Sequence, residues 1–181
     1  MKIFWQLVRI SFRQQLTYRT AMWAGLATNL FFGMLRVAVL VALYNGQESV
    51  NGLSAQAAVT FAGLTQAMIM FLSLFGYFEI MESVSSGAVA GDLIRPVNYY
   101  QLWLGKDLGR SIVNLVVRGI LFFAIFALFF RILTPQSAGQ WLAFFLSLGL
   151  SYLLSFSWRF LINMTAFWTP DALGIGRILF L

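Results

Sequence analysis

The sequence contains no cysteine and no histidine. That excludes disulfides, thiolate chemistry and the usual zinc and haem ligand sets. Charge is scarce as well: Asp, Glu, Lys and Arg make up 10% of the 181 residues, against roughly 25% in soluble domains. No GxxxxGK[ST] pattern occurs, and Gly87 with Gly91 has the wrong spacing and no lysine, so no P-loop is expected. Glu79, Glu82, Asp92 and Asp107 are juxtamembrane, with no partnered base and no metal-ligand spacing. Neither catalysis nor a bound cofactor or metal is expected of this chain. The first 19 residues also lack the compact apolar core and small-residue cleavage site of a signal peptide, which makes the first span an uncleaved anchor.

What is present is grease. Hydrophobic residues reach 60%, above the roughly 45–50% of soluble domains, and they gather in runs of about 20, enough to cross a hydrocarbon core of about 30 Å. The expected fold is an all-α integral membrane protein with two parts. Residues 1–19 form an amphipathic interfacial helix, in which Lys2, Gln6, Arg9 and Arg13 recur at helical spacing beside Phe4, Val8, Phe12 and Leu16. Residues 20–181 form a transmembrane domain with spans at about 20–43, 55–78, 111–130 and 140–162, and a fifth apolar segment starting at 175–181. That last stub is far short of a crossing, so the chain reads as truncated.

Nine of the 12 basic residues mark one face: Lys2, Arg9, Arg13 and Arg19, then Arg95, Lys106 and Arg110, then Arg159 and Arg177. By the positive-inside rule that face, and the N-terminus with it, is cytoplasmic. The net charge of +6 is assigned to anionic headgroups and not to nucleic acid, because the cations are not clustered on a soluble module.

Polar residues inside the spans are the candidates for function. Ala21, Gly25, Asn29 and Gly33 lie four apart on one face of span one, a pattern for close helix packing inside the subunit or against a partner subunit. Arg36, Thr65, Gln66, Ser147, Ser151 and Ser155 are candidates for a translocation path. Serine and threonine can instead bond their own helix carbonyls, and an arginine near a span end can snorkel.

The stretch GDLIRPVNYYQLWLGKDLGR, 91–110, holds five of the 18 charged residues. Span two continues from Glu79 as a short helix with Glu82 and Ser86 on one side. Gly91 loosens it, Asp92 caps a new turn, and Pro96 drives Arg95 extended. Asn98 caps a helix leading into span three, with Tyr99, Tyr100 and Trp103 at headgroup depth and Asp107 and Arg110 placed to pair. Local physics leaves two readings open: a lever continuous with two spans, or a solvated connector.

YRTAMWAGLATNLFFGMLR (18–36), the stretch 91–110 and FWTPDALGIGR (167–177) together resemble the permease subunits of bacterial ATP-binding-cassette exporters of the ABC type-2 family, with similarity over essentially the whole chain. The resemblance implies six spans per subunit, of which this chain holds four and a stub, and a coupling helix in the 79–110 segment. Glu79, Glu82, Ser86, Gly91, Asp92, Arg95 and Pro96 would dock on a separate ABC ATPase that carries ATP and Mg. It also implies a second permease subunit, identical or not, and a place in the bacterial inner membrane. An apolar path with a few polar groups suits drugs, lipids or amphiphilic metabolites equally. The rival readings are a self-sufficient channel or secondary transporter, an intramembrane enzyme, and a non-transporting anchor or assembly protein.

Overall fold

The computed structural model describes residues 2–69, 71–73, 78–169, 172 and 174. Helix α1 (Lys2–Thr17) meets α2 (Arg19–Tyr44) at Tyr18. At the far end of α2, Asn45 takes a left-handed conformation and stops the helix. A two-stranded hairpin follows, β1 (Ser49–Val50) and β2 (Leu53–Ser54), pairing Ser49 with Ser54 and Val50 with Leu53. Asn51 and Gly52 both have positive φ (50° and 83°), the requirement of a type I′ turn. Ser54 then caps α3 (Ala55–Met68) by accepting from the Ala57 amide.

Among the described residues, three helical stretches are long and apolar enough to cross a membrane: Arg19–Tyr44, Tyr99–Phe129 and Ala138–Phe167. The sequence places a further span at 55–78; α3 covers its first 14 residues, and residues 70 and 74–77 of that stretch lie outside the described residues. The stretch bends at Ser73, where φ is +49°, and the Leu72 carbonyl accepts the Ser155 hydroxyl at 2.6 Å. The apolar segment expected at 175–181 lies outside the described residues.

The helix that carries the span expected at 111–130 starts at Tyr99, after the Asn98 cap that the sequence places there. Asn98 receives the amides of Tyr100 and Gln101, and α6 (Tyr99–Val113) starts there. The chain passes through a π-helical stretch, Asn114–Ile120, into α7 (Leu121–Phe129) without leaving the helix. At about 1.5 Å per residue, the 31 residues of this stretch run ~46 Å, well over the ~30 Å hydrocarbon core. The stretch is therefore longer than the core is thick. The last span is α8 (Ala138–Met164), capped by Ser137 and continued by a 3₁₀ turn, Thr165–Phe167.

Two cores hold these helices together. Leu26, Val37, Val59, Ala62, Ala67, Phe122 and Phe126 join α2, α3 and α7. Ile80, Leu102, Trp103 and Phe156 join α6 and α8 to α4 (Glu79–Ser85). A third element of the same end, α5 (Val89–Leu93), follows α4 after Gly87 and has no buried residue.

Helix α1 lies across the start of α6, over Gly105 and Gly109. A Cβ on Gly109 would collide with the Val8 carbonyl oxygen and lie 2.7 Å from the Ser11 Cβ; one on Gly105 would meet Leu7 at 3.2 Å. The approach is backbone on backbone, so the neighbour cannot swing away. We expect Gly109→Ala to destabilise the protein by about 1–3 kcal/mol and to release residues 1–18 to protease. Gly91→Ala, where an added Cβ meets nothing within 4 Å, is the control that leaves thermal unfolding and the proteolysis pattern unchanged.

Candidate functional site

The second core is crossed by a set of ion pairs centred on Asp107. Burial falls on two faces of α6, Leu102, Gly105, Gly109 and Val113 on one and Trp103, Asp107 and Ser111 on the other, and Asp107 has no exposed surface. Opposite stands Arg159 of α8, 2% exposed. Its two terminal nitrogens donate to both carboxylate oxygens, Nη1 to Oδ1 at 3.1 Å and Nη2 to Oδ2 at 3.0 Å. The Tyr152 hydroxyl donates to Oδ2 at 3.0 Å and Arg110 Nη2 to Oδ1 at 2.6 Å. Four donors thus meet the four lone-pair sites of one carboxylate. Such complete satisfaction is what allows a charge to stay buried.

The pairs lead outward from there. Arg110 also donates from Nη1 to Glu79 Oε1 at 3.1 Å, and Glu79 opens α4, where a negative charge favours the helix start. The Asn163 side chain, fully buried, donates to the Arg159 carbonyl at 2.8 Å and accepts the Met81 amide at 3.2 Å. It therefore satisfies one of the amides that the first turn of α4 leaves without a helical partner. Ile80 and Met81 are buried beside it. Helix α4 is consequently fixed to α6 by charge, to α8 by an amide, and to both by packing.

Beyond that anchor the segment opens to solvent. Glu82 is exposed, as is Ser86, whose hydroxyl donates to the Glu82 carbonyl at 2.7 Å. Gly87, at φ +76°, turns the chain. Gly91, Arg95 and Pro96 are exposed, and so are Leu93 (55%) and Ile94 (85%). Asp92 folds back, pairing with Arg95 at 3.6 Å and Lys106 at 3.4 Å, while Lys106 lies 3.9 Å over the Trp103 ring.

Elsewhere the polar residues of the spans are brought together differently. Asn29 and Gln66 face each other: Gln66 Nε2 donates to Asn29 Oδ1 at 2.8 Å and Asn29 Nδ2 to the Gln66 carbonyl at 3.2 Å. Arg118, in the π-helical stretch, donates to the Ala21 carbonyl at 2.9 Å. A Cβ on Gly25 would lie 2.6 Å from the Arg118 guanidinium carbon, and one on Gly33 would lie 2.7 Å from the Phe122 ring. The small-residue face of α2 thus meets helices of its own chain. Thr65 and Ser147 bond carbonyls of their own helices, Ser155 bonds Leu72, and Arg36, Ser147 and Ser151 are exposed on the bundle surface.

Three residues central to the site were not singled out in the sequence: Tyr152, Arg159 and Asn163. Their spacings of seven and four put them on one stripe of a helix, a polar line in an apolar span. Arg159 reads from sequence as one of the marks of the cytoplasmic face, yet it is buried on Asp107. The pair Gly105 and Gly109 is likewise a small-xxx-small pattern.

Residues 30–179 match the model of a protein family described as ABC-2 family transporter protein. No curated protein and no solved structure matches the chain.

Removing one partner of the central pair strands the other charge. We expect Arg159→Leu or Asp107→Leu alone to cost about 3–5 kcal/mol, and the double variant to cost clearly less than the sum of the two. Thermal unfolding of the detergent-solubilised protein in a double-mutant cycle measures both.

Proposed function

The chain belongs to the ABC-2 transporter family, and from that premise we propose that it is the permease subunit of an ATP-driven exporter in a bacterial inner membrane. In this reading α4 and α5 face the cytoplasm and take up the motion of a separate ABC ATPase. A second permease subunit encloses the substrate path with this one. No covalent chemistry is asked of the chain; ATP and Mg belong to the partner.

The observation that supports this best is the anchoring of α4. A solvated connector needs no buried attachment to the spans, whereas a lever needs a rigid one. Here the Glu79–Arg110–Asp107–Arg159 series and the Asn163 bridge join the base of the segment to two spans. Its tip carries Leu93 and Ile94, two large apolar side chains in the open, beside Asp92, Arg95 and Pro96. Apolar residues rimmed by charge are the composition of a docking surface. A push at the tip would reach α8 through Arg159 and α6 through Arg110, because packed cores respond by shifting between discrete arrangements and not by bending continuously.

The reading is tested with the full-length protein and its operon-neighbour ATPase. Failure of the two to copurify would remove it. Within the complex, Asp92→Arg and Arg95→Glu are expected to lower solute moved per ATP hydrolysed by about tenfold, a coupling change of ~1.4 kcal/mol, with membrane insertion unchanged. Unchanged coupling in both variants would take these residues out of the mechanism.

A further inference from the structure

A cavity of about 510 Å³ lies between the C-terminal half of α1 and the charged segment, lined by Ser11, Gln14, Tyr18, Arg95, Lys106 and Arg110, with Glu79 and the apolar Leu7 and Ile10 at its sides. We propose that this cavity binds the phosphate-bearing headgroup of an anionic phospholipid.

Of the three cations in the lining, Arg110 is held by Glu79 and Asp107, which leaves Arg95 and Lys106 to meet an anion, and the remaining polar groups are hydroxyls and amides able to donate to phosphate oxygens. Asp92 approaches two of the cations, but only at 3.6 Å to Arg95 and 3.4 Å to Lys106, longer than the ~2.7–2.9 Å of a charge-assisted hydrogen bond. Arginine has five donors and the lysine ammonium three, so both keep hydrogens for an incoming anion.

Depth selects the source of the phosphate. The stretch Tyr99–Phe129 is longer than the hydrocarbon core is thick, and Lys106, Asp107 and Arg110 all precede its apolar part from Ser111 on, which puts Lys106 and Arg110 at headgroup level. The other wall is α1, which turns Ile10 to the cavity and carries Trp5 and Leu16 as exposed apolar side chains on another flank, suited to lie among the outer acyl carbons. The cavity is thus a polar hollow between an interfacial helix and the start of a span, where lipid phosphates are the abundant anion.

The test uses the purified chain in detergent and needs no ATPase, so it stands or falls separately from the permease reading. Thermal unfolding is followed with added phosphatidylglycerol, phosphatidylcholine, or inorganic phosphate. The proposal expects stabilisation by phosphatidylglycerol alone. It also expects binding at least about tenfold weaker in Arg95→Gln/Lys106→Gln, and binding restored when Lys106→Arg replaces Lys106→Gln. Arg9→Gln/Arg13→Gln removes equal charge from residues outside the cavity and is expected to change affinity far less. Equal loss in both double variants would reduce the effect to surface charge and overturn the site. Equal stabilisation by inorganic phosphate would reassign it to soluble phosphates and overturn the lipid source.

Discussion

A carboxylate with no exposed surface, gripped by two guanidiniums and a phenol, is the constraint around which the described end of this protein is arranged. Asp107 cannot remain charged in an apolar core unless every lone pair is met. The donors come from two different spans, so α6 and α8 have to meet at one register and one rotation. Once they do, Arg159 presents its backbone carbonyl to Asn163, Asn163 presents its own oxygen to Met81, and Arg110 is left with a nitrogen for Glu79. The orientation of α4 is therefore a consequence of how one buried charge is satisfied. By themselves, seven residues would not hold a helix in water.

The opposite half of the bundle obeys a different rule. There, small residues on α2 let rings and a guanidinium come close, and Asn29 and Gln66 bond each other. Contact between helices here rests mainly on packing, and its buried cation, Arg118, is met by the Ala21 carbonyl. The molecule thus joins a charged half to an apolar half within the same long helix.

Much of this could be read from the amino-acid order, and what could not has a physical cause. The long apolar runs and the Asn98 start are local features, and local features survive translation into structure. Asp107 and Arg110, three apart on a helix, could be paired by spacing. Arg159 could not be joined to Asp107, 52 residues away, because burial of a charge depends on a partner that sequence distance hides. Asn29 and Gln66 were each visible as polar residues in a span, but their choice of one another was not.

The π-helical stretch gives the two halves separate phases. A regular helix advances about 100° per residue, so one register would govern both Asp107 and Phe122. Between them Asn114–Ile120 is wound more loosely, with bonds reaching one residue further than in the α form. The angle at which Asp107 meets Arg159 is thereby decoupled from the angle at which Phe122 and Phe126 meet α2 and α3. Loss of a single residue there would leave each half well packed and rotate one against the other. The stretch is a clutch in the middle of the shaft, and its slack is one residue wide.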